Sequence, residues 1–258
     1  MKKARLLPEE RRNAILAMLE QEGRVFCSEL ADTFGVSEMT IRRDLTYLER
    51  LGALRKVHGA AVSVEDESHD PSFWVRAGRS RGEKRAIGRE AAKLIGNGEV
   101  IAIDVGTTAL EVARNITCTD VIIITASPHV AFNVVNQGIS QVFLTGGVMR
   151  PKTFTLTGAF AVQGLNNFNI SKAFIGTGGI TDDYFLTEHS PEEAEVKKAL
   201  IKRSEEVILV ADHSKFNSGG FVKIGPLALV HRIITDKRMS QNLIDYAERN
   251  RISVTAVG

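Results

Sequence analysis

Residues 37–48 read Ser-Glu-Met-Thr-Ile-Arg-Arg-Asp-Leu-Thr-Tyr-Leu, a run that groups polar and basic side chains at helical spacing. At about 100° per residue, Ile41, Leu45 and Leu48 fall on one stripe, which must be buried. Arg43 projects to the opposite side, together with Met39, Thr46, Tyr47 and Arg50, and Thr40 and Arg42 flank it. Ser37 suits the N-cap, and Glu38 sits at the positive end of the helix. An arginine on such a face can take guanine bidentately or bind phosphate. Threonine and tyrosine can contact the backbone or a thymine methyl. The expected DNA contacts are Ser37, Met39, Thr40, Arg42, Arg43 and Tyr47, with Arg55 and Lys56 reaching phosphates from a following hairpin.

A second set of polar residues follows short apolar runs. After 99–103 come Asp104-Val105-Gly106-Thr107-Thr108, and then a helical pattern. A strand, a glycine loop and a helix start make an anion site: Gly106 lets the backbone approach, and the threonine hydroxyls donate. Asp104 could accept from a sugar hydroxyl. Other runs end at Thr125-Ala126-Ser127, Gly146-Gly147, Gly176-Thr177-Gly178-Gly179 and Asp212-His213-Ser214-Lys215-Phe216. In a parallel sheet, five such ends converge on one pocket. In the pattern at 191–203, Lys197 falls amid Ala194, Val196, Leu200 and Ile201, with Glu193 a turn earlier. A lysine there either snorkels or meets an anion.

The elements that must position these residues can be placed coarsely. Pro8 to Glu22 reads as a first helix closed by Gly23, and 24–27 as a short strand. Ser28 opens a second helix as its cap, Gly35 allows the turn, and the third helix ends at Gly52. Residues 54–62 read as two strands turning at His58-Gly59, a wing. Residues 65–82 start acidic, contain Pro71 and read as a linker anchored by Phe73 and Trp74. Beyond it, apolar runs at 99–103, 121–124, 142–145, 173–175, 207–211 and 232–235 alternate with helical patterns at 83–95, 107–116, 128–137, 191–203 and 240–249. That alternation predicts an α/β domain with a largely parallel sheet. The expected organisation is 1–64 winged helix-turn-helix, 65–82 linker and 83–258 α/β domain.

The chain resembles the DeoR family of bacterial sugar-metabolism regulators. The matching residues are Ser28-Glu29-Leu30-Ala31, Val36-Ser37, Thr40 to Leu45, Leu48-Glu49 and Arg55 to Ala61. In the second half they are Asp104 to Thr108, Gly146-Gly147, Glu195-Val196-Lys197 and Asp212 to Phe216. The family usually has Gly-Gly-Ala in the wing, where this chain has Gly59-Ala60-Ala61, and commonly has Asn where Ala126 stands. The resemblance implies an effector half similar in fold to ribose-5-phosphate isomerase and the coenzyme A transferases. It also implies a pocket for a phosphorylated sugar, with phosphate on Gly106, Thr107 and Thr108 and Lys215 adding positive charge. The wider expected effector site is Asp104, Thr125, Gly146, Gly147, Gly176, Lys197 and Asp212. The implied partners are a double-stranded DNA operator, a phosphorylated sugar effector and further copies of the chain, as a homodimer or homotetramer.

The function expected is a transcriptional repressor of a carbohydrate operon, released by its effector. The alternative is a sugar-phosphate isomerase-like enzyme carrying a DNA-binding module, with Glu188 or Glu195 as base; activation in place of repression also stays open. The totals fit either reading. The charged fraction of 25% is ordinary for a globular protein. A net charge of +2 requires any DNA-binding site to be local. Cys27 and Cys118 lack paired spacing, so neither a zinc site nor a disulfide framework is expected, and no cofactor. No apolar stretch reaches the ~18 residues of a membrane span, and Lys2, Lys3 and Arg5 precede no apolar leader segment; the expected compartment is the cytoplasm.

Overall fold

The computed structural model describes residues 6–63, 70–236 and 239–258. It divides into two compact units, Met1–Arg79 and Ser80–Gly258.

In the first unit, α1 (Pro8–Glu22) is followed by β1 (Arg24–Phe26), α2 (Cys27–Phe34), α3 (Glu38–Arg50), β2 (Leu54–Val57), β3 (Ala60–Ser63) and α4 (Phe73–Gly78). The strands form one antiparallel sheet in the order β1-β3-β2. Ile15, Leu16 and Leu19 of α1 and Leu30 of α2 join Ile41, Leu45 and Leu48 of α3 in a single buried core. Removing such side chains from water is the main stabilising term for a unit this small. Gly23 and Gly35 close α1 and α2 at φ +69° and +64°, a left-handed conformation that glycine adopts without a Cβ clash. The wing turn needs a positive φ at Gly59 alone; Ala60 is already extended, pairs with Val57 and is buried.

Two local expectations are corrected here. Helix α2 begins at Cys27 with Phe26 as its N-cap residue, so Ser28 lies inside the first turn and does not cap it. The stretch 65–82 is not a linker throughout: Ser72 caps α4 by accepting from the Val75 amide, and a further helix begins at Arg81. Trp74 packs on the core of the first unit. The acidic start of that stretch, through residue 69, lies outside the described residues.

The second unit begins with α5 (Arg81–Ala92), β4 (Glu99–Ile103), α6 (Thr107–Arg114), β5 (Val121–Thr125), α7 (Pro128–Asn136) and β6 (Gln141–Leu144). A hairpin of β7 (Val148–Arg150) and β8 (Thr155–Thr157) leads to α8 (Ala159–Leu165) and β9 (Ile170–Ile175). Then come β10 (Gly179–Ile180), β11 (Phe185–Glu188), α9 (Pro191–Arg203), β12 (Ser204–Val210) and β13 (Val222–Pro226). The order ends with β14 (Arg232–Asp236), α10 (Gln241–Arg249) and β15 (Ser253–Val257). Seven strands make a parallel sheet in the order β15-β14-β12-β9-β4-β5-β6. Apolar runs such as Ile101-Ala102-Ile103 are buried because helices cover both faces of a parallel sheet. Strands β10, β11 and β13 form a separate antiparallel sheet, which the periodicity did not predict. From β4 the chain winds outward through β5 to β6, whereas β9 lies on the other flank of β4. The strand order therefore reverses between β4 and β9, which opens the kind of crevice where ligands bind in open α/β folds.

Candidate nucleic-acid interface and sensor site

On α3, Ile41, Leu45 and Leu48 are buried, as their spacing requires. Ser37 caps the helix, its Oγ accepting from the Thr40 amide at 3.2 Å. Met39, Arg42, Arg43 and Tyr47 are exposed. Arg42 is tied to Glu38 at 2.9 Å. Arg43 and Arg50 carry no ion-pair partner among the described residues. Met39, Arg42, Arg43, Thr46, Tyr47 and Arg50 line one shallow depression with Arg12 of α1.

Arg12 is a member the sequence reading missed. Its guanidinium stacks 3.9 Å from the centre of the Tyr47 ring and donates to Asp44 Oδ1 at 2.8 Å. Arg11 donates to the other oxygen of Asp44 at 2.6 Å. Asp44 is buried, so the two charge-assisted bonds fix α1 against α3 from inside the unit. The wing is fastened as well. Lys56 donates through its amide to Glu49 at 2.8 Å and through Nζ to Thr46 at 2.9 Å. Arg55 remains exposed without an ion-pair partner among the described residues.

In the second unit, the ends of β4, β5, β6, β9 and β12 share one edge because all five strands are parallel. Three of the expected residues are linked there, with Lys215 nearby. The Gly176 amide donates to Asp104 Oδ2 at 3.0 Å, and Lys197 of α9 donates to the same oxygen. Lys215 reaches the Gly178 carbonyl at 3.4 Å. Glu188, at the end of β11, completes the cluster with Oε1 3.4 Å from Lys197 Nζ. All three charged side chains, Asp104, Lys197 and Glu188, are buried. The lysine within the apolar stripe of α9 therefore meets an anion of the protein's own.

The charges explain the proton affinities. Burial pushes the Asp104 carboxyl up; the Lys197 ammonium opposes this, and Glu188 reinforces it. Burial pulls Lys197 down, but the Asp104 and Glu188 carboxylates together outweigh it and hold the ammonium above its ordinary value. Two carboxylates around one ammonium leave one uncompensated negative charge in a low-dielectric place, which favours retention of a proton.

The remaining expected residues take varied positions. Gly106 and Thr107 stand partly exposed at the start of α6, with Gly106 at φ +125° and Thr108 buried behind them. Thr125 is fully buried: its hydroxyl donates to the Ile103 carbonyl at 2.6 Å and accepts from the Ser127 amide, bracing β5 on β4. Ala126 is buried, and its carbonyl accepts from Leu156 of β8. Gly147 is held so close to β8 that a Cβ would lie 2.4 Å from the Thr157 oxygen, and Gly146 before it has φ +76°. Asp212 accepts from the Ser214 amide at 3.1 Å and from its hydroxyl, while its Oδ2 is buried without a hydrogen-bond partner among the described residues. Glu195 is exposed on α9 and paired with Lys198, away from the buried cluster. Glu193 is buried and bound by Arg150 of β7 at 2.6 Å. Among the described residues no helix is long and apolar enough to cross a membrane.

A winged helix followed by an α/β unit with polar groups gathered at its strand ends has the build of a two-part DNA-binding regulator. Residues 11–67 match the DeoR-like helix-turn-helix domain, and residues 79–237 match the DeoR C terminal sensor domain. The chain is 33% identical over 252 residues to the HTH-type transcriptional regulator YulB of Bacillus subtilis (strain 168), covering 98% of each chain. It is 31% identical over 246 residues to the HTH-type transcriptional repressor GlcR of the same strain, covering 95% of each. It is 32% identical over 228 residues to the glycerol-3-phosphate regulon repressor of Escherichia coli (strain K12), covering 88% of this chain and 90% of that one. Among solved structures, ribose 5-phosphate isomerase A from Methanocaldococcus jannaschii aligns at 19% identity with a TM-score of 0.38, over 52% of this chain and 53% of the other. The chain belongs to the DeoR family. It is a DNA-binding transcriptional regulator and not an enzyme.

Proposed function

We propose that this protein represses a carbohydrate operon in the cytoplasm and is released from its operator by a phosphorylated sugar. Two relatives carry the word repressor in their names, one of them for a glycerol-3-phosphate regulon. On the DNA side, Arg43 and Met39 face base edges, while Ser37, Thr40, Arg42, Tyr47, Arg55 and Lys56 hold the backbone. Two such units on two half-sites give the protein its register, so it works as a homo-oligomer.

The observation that carries the effector assignment is the gathering of Asp104, Gly176, Lys197 and Lys215 at the switch point of the parallel sheet, beside the Gly106-Thr107-Thr108 helix start. In this reading the Gly106 and Thr107 amides and the Thr107 and Thr108 hydroxyls take the phosphate, with Lys215 adding charge. Asp104, Thr125, Gly146, Gly147, Gly176, Lys197 and Asp212 form the floor and walls. The sugar phosphate lowers DNA affinity only to the extent that it binds the released conformation better than the DNA-bound one.

The test is a thermal-unfolding series on the full chain with phosphorylated sugars and their unphosphorylated counterparts. A ligand bound only by the folded state raises Tm by mass action. A rise with one phosphorylated sugar, lost on replacing Thr107 and Thr108 together with valine, is the expected result. No rise with any phosphate would overturn the effector assignment.

A further inference from the structure

The C-terminal unit carries an apolar surface that neither the DNA face nor the strand-end cluster uses. Strand β6 is an outer strand of the seven-stranded sheet and pairs only with β5 among the described residues. Its other edge leaves backbone donors and acceptors available, a feature that natural sheets usually blunt with charge. Little charge is present to blunt it: between Val121 and Ser171 the sole Asp, Glu, Lys or Arg residues are Arg150 and Lys152, in a chain where these four types make up 25%.

Large apolar side chains stand open around this strand. Phe132 on α7 is 72% exposed, Val148 on β7 72% and Phe160 on α8 75%, and Val135, Phe143, Leu144 and Met149 are exposed as well. Among the described residues of this unit, the other exposed large hydrophobics are Phe221 and Leu229. The elements that bear the cluster adjoin one another. Helix α7 precedes β6 and packs against it, and β7 follows β6 after a short turn. Gly164 of α8 lies so near the end of β6 that a Cβ would sit 2.8 Å from the Thr145 oxygen. The Phe143 ring meets Phe168, just beyond α8, at 5.1 Å between centroids.

We propose that this surface, centred on β6 and carrying Phe132, Phe143, Val148 and Phe160, is where a second copy of the chain docks. This rests on the oligomeric regulator described above and names the surface that builds it. Three features select a second copy over another partner. An uncharged apolar face complements another uncharged apolar face, and a two-fold axis gives each copy the same one. Enrichment in Phe and Met with depletion of charge is the composition of an interface core. The open parts of Phe132, Phe143 and Phe160 alone expose roughly 400 Å² at about 200 Å² per aromatic side chain. That is about half of the ~800 Å² each partner buries in a stable complex, and the neighbouring aliphatic residues extend it.

The test is sedimentation velocity on the full chain at micromolar concentration, without DNA or sugar phosphate. The wild-type chain is expected at twice the monomer mass or more. Phe132→Asp and Val148→Asp, on different elements and both at exposed side chains, should each shift the population to monomer with unchanged circular dichroism and a still cooperative thermal transition, its Tm lowered only by the lost association. Phe221→Asp, 80% exposed but outside the surface, should leave the mass unaltered. A monomeric wild-type chain would overturn the proposal, because the surface would then await a different partner. Two aspartate variants that keep the wild-type mass would place the interface elsewhere and overturn it equally. A monomeric wild-type chain would also remove the homo-oligomer from the proposed function, whereas aspartate variants of unchanged mass would leave it intact; the DNA and effector assignments stand in either case, since neither ligand enters the measurement.

Discussion

Asp44 lies on the helix assigned to the DNA groove, yet its carboxylate is turned inward and accepts from Arg11 of α1 at 2.6 Å. Arg12 takes its second oxygen at 2.8 Å and stacks on Tyr47 of the exposed face. A buried ion pair thus stands directly behind the proposed reading surface. The angle of α3 depends on α1 through these two arginines.

Replacing Asp44 with alanine leaves Arg11 buried without its counter-ion. Breaking one side of a buried pair costs roughly 3–5 kcal/mol. Asp44→Ala should unfold the first unit at lower denaturant concentration and weaken DNA binding, while the second unit keeps its own transition. Urea unfolding followed separately by Trp74 fluorescence and by far-ultraviolet circular dichroism checks this. Coincident wild-type-like transitions would show that the clamp contributes little.

Arg43 has no ion-pair partner among the described residues and faces the same side as Tyr47. Arg43→Ala should lower affinity for the cognate operator by roughly 1–3 kcal/mol, the discrimination of one bidentate base contact. Its affinity for unrelated duplex should change much less. Arg55→Ala should weaken both alike and reduce the salt slope of binding by about one. Titrations of operator and random-sequence duplexes at several salt concentrations separate the two roles.

Lys197 compensates two buried carboxylates. In the native protein its ammonium stabilises the fold at every pH below its ordinary value of 10.5, and that contribution is lost as pH rises through the higher folded value. Lys197→Met strands Asp104 and Glu188 together, which should cost roughly 3–5 kcal/mol at neutral pH. Burial already raises the Asp104 carboxyl, so protonating it relieves the variant. The stability deficit of Lys197→Met should therefore shrink as pH falls from 7 toward 5. Thermal unfolding of both proteins across that range tests it, and a constant deficit would mean that the carboxylates are not repelling each other.

Lys215 is half-buried and reaches the Gly178 carbonyl at a long 3.4 Å. Lys215→Ala should lower stability by about 1 kcal/mol, the usual size of a single substitution's effect. It should still reduce the Tm rise given by a phosphorylated sugar. A full Tm rise in the variant would remove Lys215 from the effector site.

Most helices and six of the seven parallel strands were legible because each is written in local periodicity; α4, α8 and β15 were not anticipated. The stripe Ile41, Leu45 and Leu48 announced α3, and apolar runs such as 99–103 and 232–235 announced the buried strands. The hairpin β7–β8 and the antiparallel sheet of β10, β11 and β13 were not legible. These strands are short, and β10 spans two residues, too few to show a period. Ser28 misled as a helix cap because residue type indicates that a cap is near without fixing which residue takes the extended conformation. Arg12 was missed as a member of the exposed face proposed to meet DNA, since nothing local relates it to Tyr47.

The sequence by itself determined the winged helix, the alternating α/β unit and the set of polar strand ends, because periodicity and helix geometry act over a few residues. Only the tertiary structure decided which charges meet. Asp44 finds Arg11 across 33 positions, and Asp104 finds Lys197 across 93. A lone lysine in an apolar stripe reads equally as snorkelling or as facing an anion until the fold supplies its partner. It must supply one, because an unpaired charge cannot be buried at a free-energy cost the fold can bear.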